Sequence, residues 1–144
     1  MTTIAQALKQ KNKLKSEIAQ LQKRLTTHNS VMQGNPRPFD LTETDAELVM
    51  RVNELIALKH ALTVANQPMQ EKIYRLAELK SLMAFYQKLP TKAGKMSEGY
   101  MNTAHEYEAF FNEADTQAKI KALETQAEQI QDELEAFNHL THIK

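Results

Sequence analysis

All three glycines and three of the four prolines stand in two short stretches, residues 30–41 and 90–99. Glycine and proline are the strongest interrupters of regular structure, so the rest of the chain is free to form long helices. The remaining proline, Pro68, follows Asn66 and Gln67, an order in which Asn caps a helix and Pro fills its first turn. This punctuation predicts four helices over residues 3–29, 44–64, 68–89 and 100–140, joined by loops at 30–41 and 90–99, in a single helical domain covering residues 1–144. A break in the last helix is expected near residues 112–116. For the second helix, Thr42 and Thr44 are candidate N-caps, and Thr44 with Glu47 three residues on has the spacing of a capping box.

Apolar spacing supports the helices and says how they pack. In the first segment Ile4, Ala7, Lys11, Leu14, Ile18, Leu21, Leu25 and His28 recur by threes and fours, as do Ile120, Leu123, Ala127, Ile130, Leu134 and Phe137 in the last. Both are heptad seams of the coiled-coil kind. The middle segments carry wider stripes: Leu48, Val49, Val52, Leu55, Ile56, Leu58 and Leu62 in one, and Met69, Ile73, Leu76, Leu79, Leu82, Met83, Phe85, Tyr86 and Leu89 in the other. A wide stripe touches more than one neighbour.

The chain is formally neutral, with 18 basic and 18 acidic side chains. Neutrality argues against a general nucleic-acid binder, which draws its affinity from excess Lys and Arg. The charge is unevenly spread, however. Residues 1–29 hold six basic side chains and one acid, Glu17, whereas residues 105–140 hold two basic side chains and nine acids. A basic and an acidic heptad helix suit each other, because flanking charges select partner and orientation. The pattern therefore predicts an all-α, four-helix antiparallel bundle built on a long helix 1–helix 4 coiled coil, with helices 2 and 3 forming a shorter hairpin against it.

Chemistry-bearing motifs are sparse. With no cysteine, the chain has no thiol nucleophile and no thiolate metal site. His139 and His142 are three residues apart near the end of the chain, half of what a zinc site requires, and read as solvent-facing side chains at a helix terminus. No Gly-rich phosphate loop, HExxH pair or nucleophile elbow is present. The reading is of a non-enzyme with no catalytic residues, no cofactor and no metal. Two groups remain as candidate surfaces. Phe85, Tyr86, Met96, Tyr100, Met101, Tyr107, Phe110 and Phe111 form a soft aromatic region around the second loop, and Lys9, Lys11, Lys13, Lys15, Lys23 and Arg24 form a candidate anion-facing basic stripe. In the first loop, Pro36 and Pro38 extend the backbone around Arg37, and Phe39 is placed to pin the loop. No apolar run has the length of a signal peptide core or a membrane span, so the expected location is the cytoplasm.

Several short runs, Ile4-Ala5-Gln6-Ala7-Leu8, Leu14, Ile18-Ala19-Gln20-Leu21, Arg24-Leu25 and Gln33-Gly34 with Pro36 and Asp40, resemble an uncharacterised bacterial family described as septicolysin-like. Leu55-Ile56, Thr63, Ala65-Asn66, Leu76-Ala77 and Leu79-Lys80 extend the likeness, and residues 94–116 depart from it. The resemblance implies a long helical hairpin that assembles into oligomers. It implies no established activity and transfers no functional residue, although the family's label points to membrane-damaging toxins. Taken together, the sequence leads to a self-assembling structural or interaction protein that works through a protein partner. A membrane-active toxin and a nucleic-acid-binding helical arm are the alternatives.

Overall fold

A computed structural model describes residues 1–98 and 103–144. The chain is mainly helical: α1 (Ile4–His28), α2 (Leu41–Asn66), a 3-10 turn (Gln67–Met69), α3 (Gln70–Lys88), a two-stranded ribbon of β1 (Gly94–Glu98) and β2 (Thr103–Tyr107), and α4 (Glu113–Leu140). It divides into two compact units, Met1–Pro68 with Ala136–Lys144, and Met69–Glu135.

In the first unit α1 packs on α2. Buried Ile4, Ala7 and Leu14 of α1 form one core cluster with Leu58 and Leu62 of α2, and Leu8, Leu55, Ala65, Phe137 and Ile143 pack around it. The start of α1 meets the end of α2, so the pair is antiparallel. Capping is built into the sequence. Thr3 Oγ1 accepts from the Gln6 amide at 3.2 Å while Gln6 Oε1 accepts from the Thr3 amide at 3.0 Å, which satisfies two amides that a helix start leaves orphaned. The amide of Ile4 donates to Thr141 O at 2.8 Å, and that of Ile143 to Thr2 O at 2.9 Å, tying the two ends of the unit's chain together.

At the other end, Gly34 adopts φ +91° in the loop, a conformation that side chains bearing a Cβ disfavour. Arg37 donates from Nε to His28 O at 2.9 Å and from Nη2 to Asn29 O at 3.0 Å. These are carbonyls with no partner inside α1. Phe39 pins the loop as its position suggests: its ring lies 4.1 Å from the Arg24 guanidinium and 5.5 Å from the His28 ring.

In the second unit, the Lys72–Glu133 ion pair and the Lys119 ammonium, 5.8 Å from the Tyr86 ring centroid, tie α3 to α4. An early residue of α3 meets a late residue of α4 and the reverse, so these two are antiparallel as well. The half-buried apolar positions of α3 include Ile73, Leu76, Leu79, Met83 and Tyr86, and the buried apolar residues of α4 are Ile120, Ala127 and Ile130. The α3 set recurs at the three- and four-residue steps of a heptad seam, and in α4 Ile120 and Ala127 stand one heptad apart with Ile130 three residues on.

Several sequence expectations need correction. The basic helix α1 takes its neighbour in sequence, α2, as its packing partner. The structure shows the α1–α2 pair, a pairing of sequence neighbours that the expected helix 1–helix 4 coiled coil and helix 2–helix 3 hairpin did not include. Charge totals do not by themselves choose a partner, because ion pairs depend on which face a side chain occupies. The last helix does not start at residue 100. Residues 103–107 are a strand paired antiparallel with β1, Gly94 opposite Tyr107 and Glu98 opposite Thr103. The helix begins at 113, at the break expected near 112–116, where Asn112 and Asp115 exchange side chain-to-amide bonds of 3.0 and 2.8 Å. The cap of α2 is Asp40, not Thr42 or Thr44. Its carboxylate accepts from the amides of Thr42 and Glu43, while the Thr44 hydroxyl, buried at 3% exposure, donates to Asp40 O. Asn66 ends α2 without capping α3, and α3 has no side-chain cap.

Ile4, with 0% exposure, joins the α1 seam, α2 and the C-terminal segment. Ile4→Ala is expected to lower unfolding free energy by about 2–5 kcal/mol. Gln20→Ala, on the exposed side of the same helix, is expected to stay within about 0.5 kcal/mol of the parent. Urea titration followed by circular dichroism measures both.

Candidate interaction surface

The helix that pairs with α1 is apolar on two sides. At 100° per residue, Leu41, Thr44, Leu48, Arg51, Leu55, Leu58, Leu62 and Ala65 fall on the side of α2 that meets α1. Val49, Ile56 and Val64 fall toward the opposite side and are 53%, 60% and 49% exposed, and Val52, 36% exposed, lies on the flank between the two. Beside them, Ala57, His60, Ala61 and Val64 form one wall of a groove of about 550 Å³ whose other wall includes Thr141 and His142. The outer side of α1 is polar by contrast, carrying Lys9, Lys13, Gln20 and Lys23, all exposed.

The orientation of α2 is fixed by a charged cluster at the edge of its inner side. Arg51 stands in the seam row, where Nε lies 3.4 Å from Glu17 of α1, Nη2 lies 3.6 Å from Glu47, and Nη1 lies 3.3 Å from Glu54. Hydrogen bonding to Glu54, followed by the charges of Glu17, Glu54 and Glu47, holds the guanidinium pKa above its ordinary value. The single acid of α1 is thus spent on α2, an interhelical contact that fixes register as polar residues in a seam do.

The six basic residues proposed as a stripe do not share one side of α1. Lys9, Lys13 and Lys23 point away from the seam. Lys11 lies half-buried in the seam row, Lys15 flanks it, and Arg24 stacks on Phe39. The aromatic region is likewise dispersed. Phe85 and Tyr86 touch edge to face at 5.4 Å, but Tyr86 turns toward Lys119 while Phe85 is 56% exposed. Phe110 and Phe111 pair at 4.8 Å, with the Lys119 ammonium 4.6 Å from the Phe111 centroid. Tyr107 receives the Lys92 ammonium at 5.3 Å. Tyr100 and Met101 lie outside the described residues, as does the Met96 side chain. What the structure does set on one side of α3 is Tyr74, Leu82 and Phe85, all exposed.

Among the described residues no three His, Asp or Glu side chains converge as metal ligands, and no helix is long and apolar enough to cross a membrane. No family model, curated protein or solved structure matches the chain.

The outer stripe of α2 was visible in the sequence as surplus width, since Val49, Val52 and Ile56 exceed what one seam needs. The sequence did not show which edge of that width α1 would cover. A double-mutant cycle of Glu17→Gln with Arg51→Met tests the anchoring of α2. A favourable coupling is expected at low ionic strength, shrinking toward zero near 1 M salt, about a 3 Å screening length. Chemical denaturation at both salt concentrations measures it.

Proposed function

We propose that the protein is a non-enzymatic helical interaction module that self-assembles and acts through the surfaces it presents to other proteins. The observation carrying this reading is the second apolar stripe of α2. Val49, Val52 and Ile56 lie 36–60% exposed on a helix whose opposite side is already occupied by α1. Leaving a row of branched aliphatic side chains in water forgoes roughly 25 cal/mol for each Å² that a partner would cover, and contiguous exposed apolar patches mark interaction sites. The resemblance to septicolysin-like proteins points the same way, through assembly. A membrane-lytic role has less support, because the stripe has neither interfacial aromatic anchors nor the strongly basic opposite side of a surface-seeking helix.

Sedimentation velocity from micromolar to millimolar protein tests the proposal. The expected result is a concentration-dependent rise in mass, weakened at least about tenfold in affinity by Ile56→Asp, a loss of about 1.4 kcal/mol. A strict monomer across that range overturns it. Dye release from phosphatidylcholine–phosphatidylglycerol vesicles at micromolar protein overturns it in favour of the lytic reading.

A further inference from the structure

We propose that the C-terminal end of α1 and the first loop together build a binding site for the phosphate or diphosphate group of a small molecule. The site is separate from the outer α2 stripe and does not depend on assembly.

Gln20, Lys23, Arg24, Thr27 and His28 recur at i, i+3, i+4, i+7 and i+8, so they share one face of α1. A helix ordinarily carries an apolar stripe at this spacing. Here every position carries a hydrogen-bond donor: an amide, an ammonium, a guanidinium, a hydroxyl and an imidazole. With Phe39 these five side chains line an open hollow of about 430 Å³. Among the described residues none lining it is acidic, and none of Lys23, Arg24 and His28 stands in an ion pair. The flanking acids are engaged elsewhere, Glu17 with Arg51 and Asp40 with the amides of Thr42 and Glu43. Clustered donors without carboxylates suit an oxyanion, which brings negative charge and acceptors.

The loop prepares this face for a ligand. The Arg24 guanidinium lies 4.1 Å over the Phe39 ring. That contact orders the side chain while its N–H fork keeps no hydrogen-bond partner among the described residues, and ordering in advance lowers the cost of binding. Arg37 contributes differently. Its bonds to His28 O and Asn29 O place a positive charge on the negative end of the α1 dipole, which would otherwise disfavour an anion there.

A compact ligand fits this face better than a nucleic-acid strand does. Lys13 precedes Lys23 by about 15 Å of helix, and the residues of the outer face between them are Ser16 and Gln20. The cations gather at one end instead of forming the continuous track that a strand follows.

Isothermal titration calorimetry of the full chain at low ionic strength, with inorganic pyrophosphate and with adenosine diphosphate, tests the site. The expected result is one saturable site, weakened at least about tenfold by Lys23→Gln. Arg24→Lys, which keeps the charge but loses the planar fork, is expected to cost as much. Phe39→Leu changes no charge and is expected to weaken binding about threefold with helix content unchanged. Lys9→Gln, on the same outer side two heptads away, is expected to leave binding as it was. The tighter of the two ligands identifies a free or an esterified diphosphate as the source. No saturable binding of either overturns the proposal, as does an equal loss from Lys9→Gln and Lys23→Gln, the mark of diffuse attraction. Binding of a single-stranded oligonucleotide without either small anion overturns it in favour of a nucleic-acid backbone.

Discussion

A pair of helices buries one stripe of each, and that limit governs the first unit of this protein. The α1–α2 seam closes over Ile4, Ala7, Leu14, Leu58 and Leu62, with Phe137 and Ile143 from the C-terminal segment packed on the same cluster. The backbone bonds from Ile4 to Thr141 and from Ile143 to Thr2 seal that end, while Arg37 and Phe39 seal the other. Once these contacts are made, α1 has no apolar surface to spare. Helix α2 still has a row of it, and that asymmetry is the most informative functional feature of the unit.

Electrostatics refines the packing without driving it. Arg51 is the clearest case: a guanidinium in a seam row, shared among three carboxylates, with Nε enclosed and no hydrogen-bond partner. Isolated surface ion pairs contribute little, but a charge held at a helix interface penalises every register that strands it. Glu17 and Arg51 thereby fix which side of α2 turns inward. The Lys72–Glu133 pair makes the corresponding link between α3 and α4 in the second unit.

Much of the fold was legible in the sequence. The heptad steps of residues 4–28 and 120–137, the loop around Gly34 and the role of Phe39 follow from apolar spacing and backbone preference. These are local properties. The α1–α2 pairing was not legible, because six basic and nine acidic residues counted along the chain say nothing about which of them face each other. Glu17 meets Arg51, and Glu133 meets Lys72, so each helix finds its counter-charge on a chain segment that looked nearly neutral. The β ribbon was missed for a related reason. The run Thr103-Ala104-His105-Glu106-Tyr107 lacks the alternation of a half-buried strand and reads equally well as helix. Its partner strand, starting at Gly94 with φ +85°, is what selects the extended form. The α2 stripe lay between these cases: its residues were visible, but not the fact that α1 leaves them uncovered.

The contrast between the two outer faces bears on what kind of assembly the unit supports. Lys9, Lys13 and Lys23 on the outside of α1 would lose hydration on burial and, being of one sign, would repel a second copy of themselves. Association through that side is disfavoured, whereas the outer side of α2 offers exposed aliphatic surface. A unit with a single adhesive side that fits itself closes at two copies, since the contact consumes the surface that made it. A unit with two different complementary sides would instead propagate into a filament. Under the proposed self-assembly, the lysines along α1 would limit growth by leaving the second side without a partner.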